Sequence, residues 1–177
     1  DDGFWDNDSS VPLGCINHRT QGWWAFDSLN HRAWPAGLDY LRRTGVDVVL
    51  MQEARVKDGL KKDDAEQTAR NAKWSTKILQ CEVTAAGRKS AGVAVGCRSF
   101  VGMSSVTAVT ASQHLHQEGR FSMQKVAAMG KGGVHAGSAY FHDTVGPDAK
   151  LNRELRETMA FTINSLKGPW ILAADWN

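Results

Sequence analysis

The apolar positions of this sequence repeat with helical spacing in three stretches. A helix is predicted to begin at Trp34-Pro35, because proline is favoured in a first helical turn, and to end at the stop signal Thr44-Gly45. A second predicted helix runs from Leu60 to Lys73 and carries a thin stripe of alanines. The third runs from Leu151 to Leu166, where apolar residues are spaced by three or four positions, and Gly168-Pro169 ends it.

Short apolar runs between these helices predict β-strands. Leu13 to Asn17 and Val46 to Met51 flank the first helix, and Trp170 to Ala174 follows the last. Runs punctuated by glycines predict an antiparallel meander in the middle of the chain, at 75–84, 91–97, 101–108, 121–129 and 134–141. The order strand, helix, strand implies a sheet covered by helices, so the predicted fold class is α/β.

The composition is that of an ordinary globular domain. The 177 residues are 42% hydrophobic and 23% charged, which excludes a disordered tail and a fibrous repeat. The length suits one domain, or one domain that lacks a lobe. Residues 1–12 are acidic and show no period, so they predict a flexible lead-in, and residues 13–177 are expected to form the domain.

Charge, hydropathy and cysteine content further narrow the class of protein that the sequence can represent. A net charge of +2 is too small to indicate nucleic-acid binding by itself. No apolar run approaches the roughly 18 to 20 residues that span a bilayer, so no membrane partner is expected. The three cysteines, Cys15, Cys81 and Cys97, are far apart and odd in number, which indicates reduced thiols in an intracellular protein rather than a disulfide framework or a zinc site.

Polar side chains follow three of the predicted strands. Asn17 ends the first, Glu53 follows the second, and Asp175 and Asn177 follow the last. In sheets covered by helices, ligands bind at the carboxyl ends of strands, so these groups are expected to converge there. Carboxylate and amide oxygens suit Mg²⁺, and phosphodiester cleavage is the matching chemistry. In the simpler interpretation, each acid ends a strand and faces solvent.

Four short motifs resemble those of the endonuclease/exonuclease/phosphatase superfamily, which includes DNase I, the abasic-site endonucleases and the endonucleases of LINE-type retrotransposons. Met51-Gln52-Glu53 resembles its Leu-Gln-Glu motif, and 171–177 resembles the segment that ends in Gly-Asp-Phe-Asn. Between them, 90–95 is similar to its Gly-Gly-Val-Ala strand and 138–143 to its Val-Tyr-Ala-Pro-Asn strand end. The four occur in the family's order. The resemblance implies a DNase I-like four-layer α/β sandwich, of which this chain is the N-terminal part.

The resemblance also implies a role for each matching residue. Glu53 would be the principal ligand of Mg²⁺, with Mn²⁺ as the alternative ion, and Asn17 would lie beside it as a second residue of the metal site. Tyr140 would donate a hydrogen bond to the scissile phosphate. Asp175 would orient or deprotonate the attacking water, and Asn177 would bind a phosphate oxygen.

Several positions depart from the family pattern. Asp143 stands where an asparagine is usual, so it either joins the metal site or marks a degraded one. The neighbouring His142 either contacts phosphate in the cleft or is an exposed residue beside a turn. Ala174 and Trp176 replace glycine and phenylalanine of the last motif. Arg19 falls near a position where some members carry an aspartate, so the full set of metal ligands stays undecided.

The family places its catalytic histidine downstream of the position that Asn177 occupies here. General acid–base assistance contributes roughly 10² to 10⁴-fold, so this chain alone is expected to be strongly impaired in catalysis. The resulting prediction is a Mg²⁺-dependent phosphodiester hydrolase that acts on DNA, with a reverse transcriptase in the same frame as a candidate partner and a nuclear location as an option. The alternatives are a phosphoinositide or sphingomyelin substrate, and a non-catalytic domain that binds nucleic acid or a protein.

Overall fold

A computed structural model describes residues 18–57, 59–83, 87, 89–106, 119–127, 130–143, 145–146 and 148–176. The expected lead-in, the predicted strand from Leu13 to Asn17 and the predicted site residue Asn177 lie outside these ranges.

Three α-helices and ten strands make up the described part of the chain. The helices are α1 (Trp34–Arg43), α2 (Gly59–Asn71) and α3 (Lys150–Ser165), and a short 3₁₀ turn spans Arg19–Gln21. The strands are β1 (Phe26–Asn30), β2 (Val48–Gln52), β3 (Trp74–Ile78), β4 (Glu82–Val83), β5 (Lys89–Ser90), β6 (Ala94–Arg98), β7 (Met103–Ser105), β8 (Phe121–Val126), β9 (Val134–Tyr140) and β10 (Trp170–Asp175). The chain is therefore a mixed α/β protein, as the sequence predicts.

The first sheet has four strands in the order β1-β2-β6-β3. β1 and β2 are parallel, with Asn30 opposite Gln52, whereas β6 is antiparallel to both of its neighbours. The sheet has two differently packed faces because side chains alternate along β2. Val49 and Met51 pack in one cluster with Leu41 of α1 and with alanines of α2, so these two helices cover that face.

The second sheet has the strand order β10-β9-β8-β7. β10 runs parallel to β9, with Asp175 opposite Tyr140, and β9, β8 and β7 are antiparallel neighbours. Leu155 and Met159 of α3 pack in one cluster with Phe121 of β8, so α3 covers one face of this sheet.

The remaining faces of the two sheets pack against each other. Val48 and Leu50 of β2 share an apolar cluster with Val126 of β8 and Ala136 of β9, and Ile171 of β10 packs at its margin. Direct contacts between β2 and both β9 and β10 bring the ends of these strands together. This face-to-face packing positions the candidate site.

Most of the predicted elements are confirmed with small shifts in their ends. Pro35 lies in the first turn of α1, and the N–H of Thr44 closes its last turn on the carbonyl of Tyr40. The predicted meander is confirmed only for β7, β8 and β9, because β3 and β6 belong to the first sheet. β1 is an element that the sequence analysis did not predict.

Cys81 and Cys97 are both buried free thiols, as expected of reduced cysteines, and burial raises the pKa of Cys97 to about 11. Among the described residues, none of the helices combines the length and the apolar composition that a bilayer crossing requires.

Candidate functional site

The carboxyl ends of four strands meet at one edge of the two packed sheets. β1 ends at Asn30, and its side-chain amide donates a hydrogen bond to Oδ2 of Asp175 at the end of β10. Glu53 directly follows β2, and its Oε1 accepts a 2.7 Å hydrogen bond from the hydroxyl of Tyr140 at the end of β9. Each bond joins one sheet to the other, so the site depends on both sheets.

A buried polar bridge beneath the site holds these strand ends in place. Ser138 of β9 donates a 2.7 Å hydrogen bond from its hydroxyl to the carbonyl oxygen of Met51. The same hydroxyl accepts a 3.0 Å bond from Nε2 of Gln52. Ser138 is fully buried and Gln52 nearly so, and therefore the bridge lies in a region where unpaired polar groups are costly.

The backbone at Glu53 turns its side chain toward the second sheet. Regular alternation along β2 would place residue 53 on the face covered by helices, together with Val49 and Met51. Its φ of +56° instead breaks the strand, and the carboxylate reaches Tyr140. The second carboxylate oxygen accepts a 2.7 Å hydrogen bond from Nη2 of Arg55. Glu53 is thus paired at both of its oxygens.

Unusual backbone conformations are concentrated at this edge. Of the described residues other than glycine, Arg32, Glu53, Arg55, Lys73 and Ala91 have positive φ. Arg32 lies two residues beyond the end of β1, and Ala91 precedes a glycine that packs on the backbone of Arg55. Conformations of this kind persist where the surrounding structure enforces them, and they are concentrated at functional sites.

Arg120 places a buried positive charge beside Tyr140. Its side chain is 3% exposed, its Nη2 donates to Glu82 at 3.2 Å, and its guanidinium lies 5.7 Å from the centroid of the Tyr140 ring. Nε and Nη1 are buried and have no hydrogen-bond partner within the described ranges. The sequence analysis did not single out Arg120, because an arginine at the start of a strand carries no signal of burial.

His142 and Asp143 follow β9 in a turn that Asn152 stabilises. The amide oxygen of Asn152 accepts from the N–H of His142 at 2.8 Å, and its amide nitrogen donates back to the carbonyl of His142 at 3.1 Å. Burial lowers the pKa of His142 below its usual value, and the charge of Arg120 lowers it further. Asp143 is exposed and opposes that shift. The imidazole is therefore mainly neutral at pH 7.

His31, the residue after Asn30, is a second histidine at this edge that the sequence analysis did not identify. It is 8% exposed, and neither ring nitrogen makes a hydrogen bond of normal geometry to a described residue. Burial lowers its pKa, while the carbonyls of Leu29 and Gln52 and the charge of Glu53 act in the opposite direction. The ring packs so closely on α1 that a Cβ at Gly37 would lie 2.4 Å from its Nε2.

The predicted site residues are partly brought together. Glu53, Tyr140 and Asp175 lie at one edge, as expected for strand ends, whereas Asn17 and Asn177 lie outside the described residues. The asparagine beside Gln52 in the first sheet is Asn30. Arg19 lies at the other end of β2, where it pairs with the buried Asp47, so it takes no part in this site.

The donor set at this edge suits a hard cation that retains water. Glu53 and Asp175 supply carboxylate oxygens, and Asn30 supplies an amide. Among the described residues there is no cluster of three or more metal-ligating acids, histidines or cysteines. Mg²⁺ is commonly held by one or two carboxylates together with waters and substrate phosphate, so these residues fit that ion better than zinc.

In comparisons with known proteins, no protein-family model matches the chain, and no curated protein matches it significantly.

Proposed function

We propose that this chain is a Mg²⁺-dependent phosphodiester hydrolase of the endonuclease/exonuclease/phosphatase type that acts on DNA. The observation that carries the proposal is the pair of bonds between the sheets, from Tyr140 to Glu53 and from Asn30 to Asp175. The first bond joins Glu53 to Tyr140, and Asp175 lies opposite Tyr140 in the pairing of β10 with β9. The family resemblance assigns these three residues a role in one reaction, although they are far apart in the sequence.

The packing of the elements supports a DNase I-like four-layer sandwich as the fold of this proposal. Two sheets pack face to face through one apolar cluster. The other face of the first sheet carries α1 and α2, and the other face of the second carries α3. The order of layers is therefore helices, sheet, sheet and helix.

Each residue has a chemical task in this proposal. Glu53, with an oxygen from Asn30, would hold Mg²⁺, and the bound ion would neutralise the charge that develops on the phosphate. Asp175 would accept a proton from the attacking water, and the amide of Asn30 keeps its carboxylate oriented. Tyr140 fixes Glu53 through its hydroxyl.

Positive side chains around the site favour a phosphate-containing substrate. Arg55 reaches Glu53 directly, Arg120 is buried beside Tyr140, and Arg32 is exposed two residues beyond Asn30. Such cations attract a polyanionic backbone even though the net charge of the chain is only +2. A DNA backbone presents several phosphates in a row, which favours DNA over a lipid headgroup that presents one or a few.

Titration calorimetry with Mg²⁺ and a supercoiled-plasmid nicking assay test the proposal. Glu53→Gln removes the charge and keeps the shape, and we expect it to weaken Mg²⁺ binding by at least tenfold, or about 1.4 kcal/mol. Asp175→Asn should lower the weak nicking that this chain is expected to retain, with a smaller effect on Mg²⁺ affinity. Glu157→Gln, on the exposed face of α3, is the matched control and should change neither.

Two results would contradict this function. The first is equal Mg²⁺ affinity in the Glu53→Gln variant and the unmodified chain. The second is an absence of Mg²⁺ binding by the unmodified chain. Cleavage of sphingomyelin or phosphoinositide vesicles in place of plasmid would keep the reaction and replace the substrate.

One observation favours a second candidate, a non-catalytic domain that binds nucleic acid or a protein. Both oxygens of Glu53 already have partners in Tyr140 and Arg55, so the carboxylate is satisfied without a metal ion. This candidate predicts DNA binding that is unaffected by a chelator and equally strong in the Glu53→Gln variant. A gel-shift assay with and without EDTA distinguishes the two.

A further inference from the structure

The ion pair between Glu53 and Arg55 has one fixed and one accessible partner. Nη2 of Arg55 lies 2.7 Å from Oε2 of Glu53. The side chain of Glu53 is 11% exposed and is also bonded to Tyr140, whereas the side chain of Arg55 is 37% exposed. The carboxylate therefore stays in place, while the guanidinium can rotate into solvent.

The backbone of Arg55 is held even though its side chain is accessible. A Cβ at Gly92 would lie 2.8 Å from the backbone nitrogen of Arg55, so the two segments are in close contact. The carbonyl of Gly92 also accepts a 2.7 Å hydrogen bond from the N–H of Ala54. The base of the side chain is thereby anchored at the site, and any movement is confined to the side-chain torsions.

The present position of Arg55 leaves part of its hydrogen-bonding capacity unused. Its Nε is buried and has no partner within the described residues. An arginine presents its donors in a planar fork that matches a phosphate group at two points. A position that paired Nε together with a terminal nitrogen would satisfy the side chain better than its single bond to Glu53.

We propose that Arg55 is the resident counter-ion of Glu53. Arg55 must release this carboxylate before a divalent cation can bind, and its freed guanidinium then pairs with a phosphate of the substrate. This inference rests on the proposed function, since it concerns the same metal site. Its consequence is positive coupling: phosphate stabilises the released position of Arg55 and so favours the metal, and the metal favours phosphate by the same factor.

The physical basis is competition between two cations for one carboxylate. A guanidinium and a divalent ion on the same oxygen would repel each other at short distance in a partly buried site, where screening by water is weak. Binding of the ion must therefore include the free energy of breaking the ion pair. A variant without the guanidinium does not bear that cost and should bind the ion more tightly.

Calorimetry with Mg²⁺ on the Arg55→Met variant tests the inference, because methionine retains much of the apolar stem and removes the charge. We expect about tenfold tighter binding than in the unmodified chain, from the coupling typical of a close charge pair. Arg42→Met, which removes an exposed arginine of α1, is the matched control for net charge and should leave the affinity unchanged.

A second titration measures the coupling with dimethyl phosphate as a diester probe that lacks bases. In the unmodified chain, saturating dimethyl phosphate should tighten Mg²⁺ binding, and in Arg55→Met that effect should disappear. If Mg²⁺ affinity is equal or weaker in Arg55→Met, while Glu53→Gln weakens binding by at least tenfold, this inference is overturned and the proposed function stays intact. Absence of Mg²⁺ binding in both the unmodified chain and Arg55→Met overturns both.

Discussion

Removal of the hydroxyl of Ser138 should destabilise the protein more than its small size suggests. The Ser138→Ala substitution deletes the donor to the carbonyl of Met51 and the acceptor of Nε2 of Gln52. Met51 and Gln52 are both buried, so the groups that lose their partner are in a region where an unpaired polar group is costly. Nε2 of Gln52 retains a 3.3 Å bond to the carbonyl of Leu50, so this nitrogen loses one of its two acceptors.

The magnitude follows from the two bonds. An unsatisfied buried group costs about 1 to 3 kcal/mol. Because Nε2 of Gln52 keeps one acceptor, we take the lower end for each bond and expect the free energy of unfolding to fall by about 2 kcal/mol. For a chain of this length, that corresponds to a decrease in Tm of about 4 to 8 °C.

Urea unfolding followed by tryptophan fluorescence and by circular dichroism measures the change. The denaturant dependence should stay the same while the midpoint falls, because the surface exposed on unfolding does not change. Ser165→Ala is the matched control: its hydroxyl donates to the carbonyl of Thr162 at the exposed end of α3. A loss in Ser138→Ala no larger than in this control would refute the idea that a polar bridge joins the sheets.

Three further changes probe the site and its supports. Gly92→Ala places a Cβ 2.8 Å from the backbone nitrogen of Arg55, at a residue whose φ is +83°. We therefore expect the free energy of unfolding in urea to fall by about 2 kcal/mol and Mg²⁺ binding to weaken. Unchanged stability would contradict the close approach of the two segments. Asp47→Asn removes a fully buried charge that accepts hydrogen bonds from Arg19 and His18, and thermal unfolding should reveal a loss of about 3 kcal/mol in the free energy of unfolding. A loss below about 1 kcal/mol would argue against a buried ion pair between Arg19 and Asp47. Burial lowers the pKa of His31 in the folded state, so this histidine is protonated first in the unfolded state as the pH falls below about 6.5. The contribution of His31 should therefore lower the free energy of unfolding by at most about 1.4 kcal/mol per pH unit in that range. His31→Leu should reduce the pH dependence of stability between pH 7.5 and 5.5. Some dependence should remain, because the pKa of His142 is lowered in the same way. An unchanged pH dependence would show that the acid sensitivity comes from other groups.

Local sequence signals suffice to predict the elements whose buried positions form a regular pattern along the chain. Pro35 fixes the start of α1, and the apolar run of β2 fits a strand that is buried along its whole length. The alanine stripe of α2 predicts its buried positions, Ala65 and Ala69. Glu53 could likewise be assigned to the end of a strand, because it follows directly where the apolar run of β2 stops. Tyr140 carries no such local signal, because the predicted strand continues to Phe141, and only the family resemblance singles it out.

β1 could not be predicted in this way. Its sequence Phe-Asp-Ser-Leu-Asn is polar at three of five positions, and none of its residues is fully buried. It is an edge strand of the first sheet, and its pairing with β2 spans a helix. What makes it a strand is long-range pairing, for which a local window of sequence carries no information. The nearby apolar run from Leu13 to Asn17 is the stronger local signal, so the sequence points to Asn17, which lies outside the described residues, and gives no signal for Asn30.

The cations of the site escaped prediction for a related reason. A basic residue in a sequence is by default an exposed one, and only the packed structure shows that Arg120 is buried beneath Tyr140 or that Arg55 faces Glu53. Contacts with Glu82 of β4 and Ser90 of β5 hold the buried Arg120, and the contact with Gly92 anchors the backbone of Arg55. Both sets of contacts are products of tertiary structure.

The register of β1 explains why Asn30 lies at the site. Parallel pairing places Asn30 opposite Gln52, so β1 and β2 end at the same level of the first sheet. In the second sheet, parallel pairing places Asp175 opposite Tyr140 and creates a matching edge. Packing the sheets through one apolar cluster then leaves the two edges side by side, and the bonds between them follow. A shift of β1 by one residue would turn Asn30 to the other face of its sheet, so the register of an edge strand decides whether this site exists.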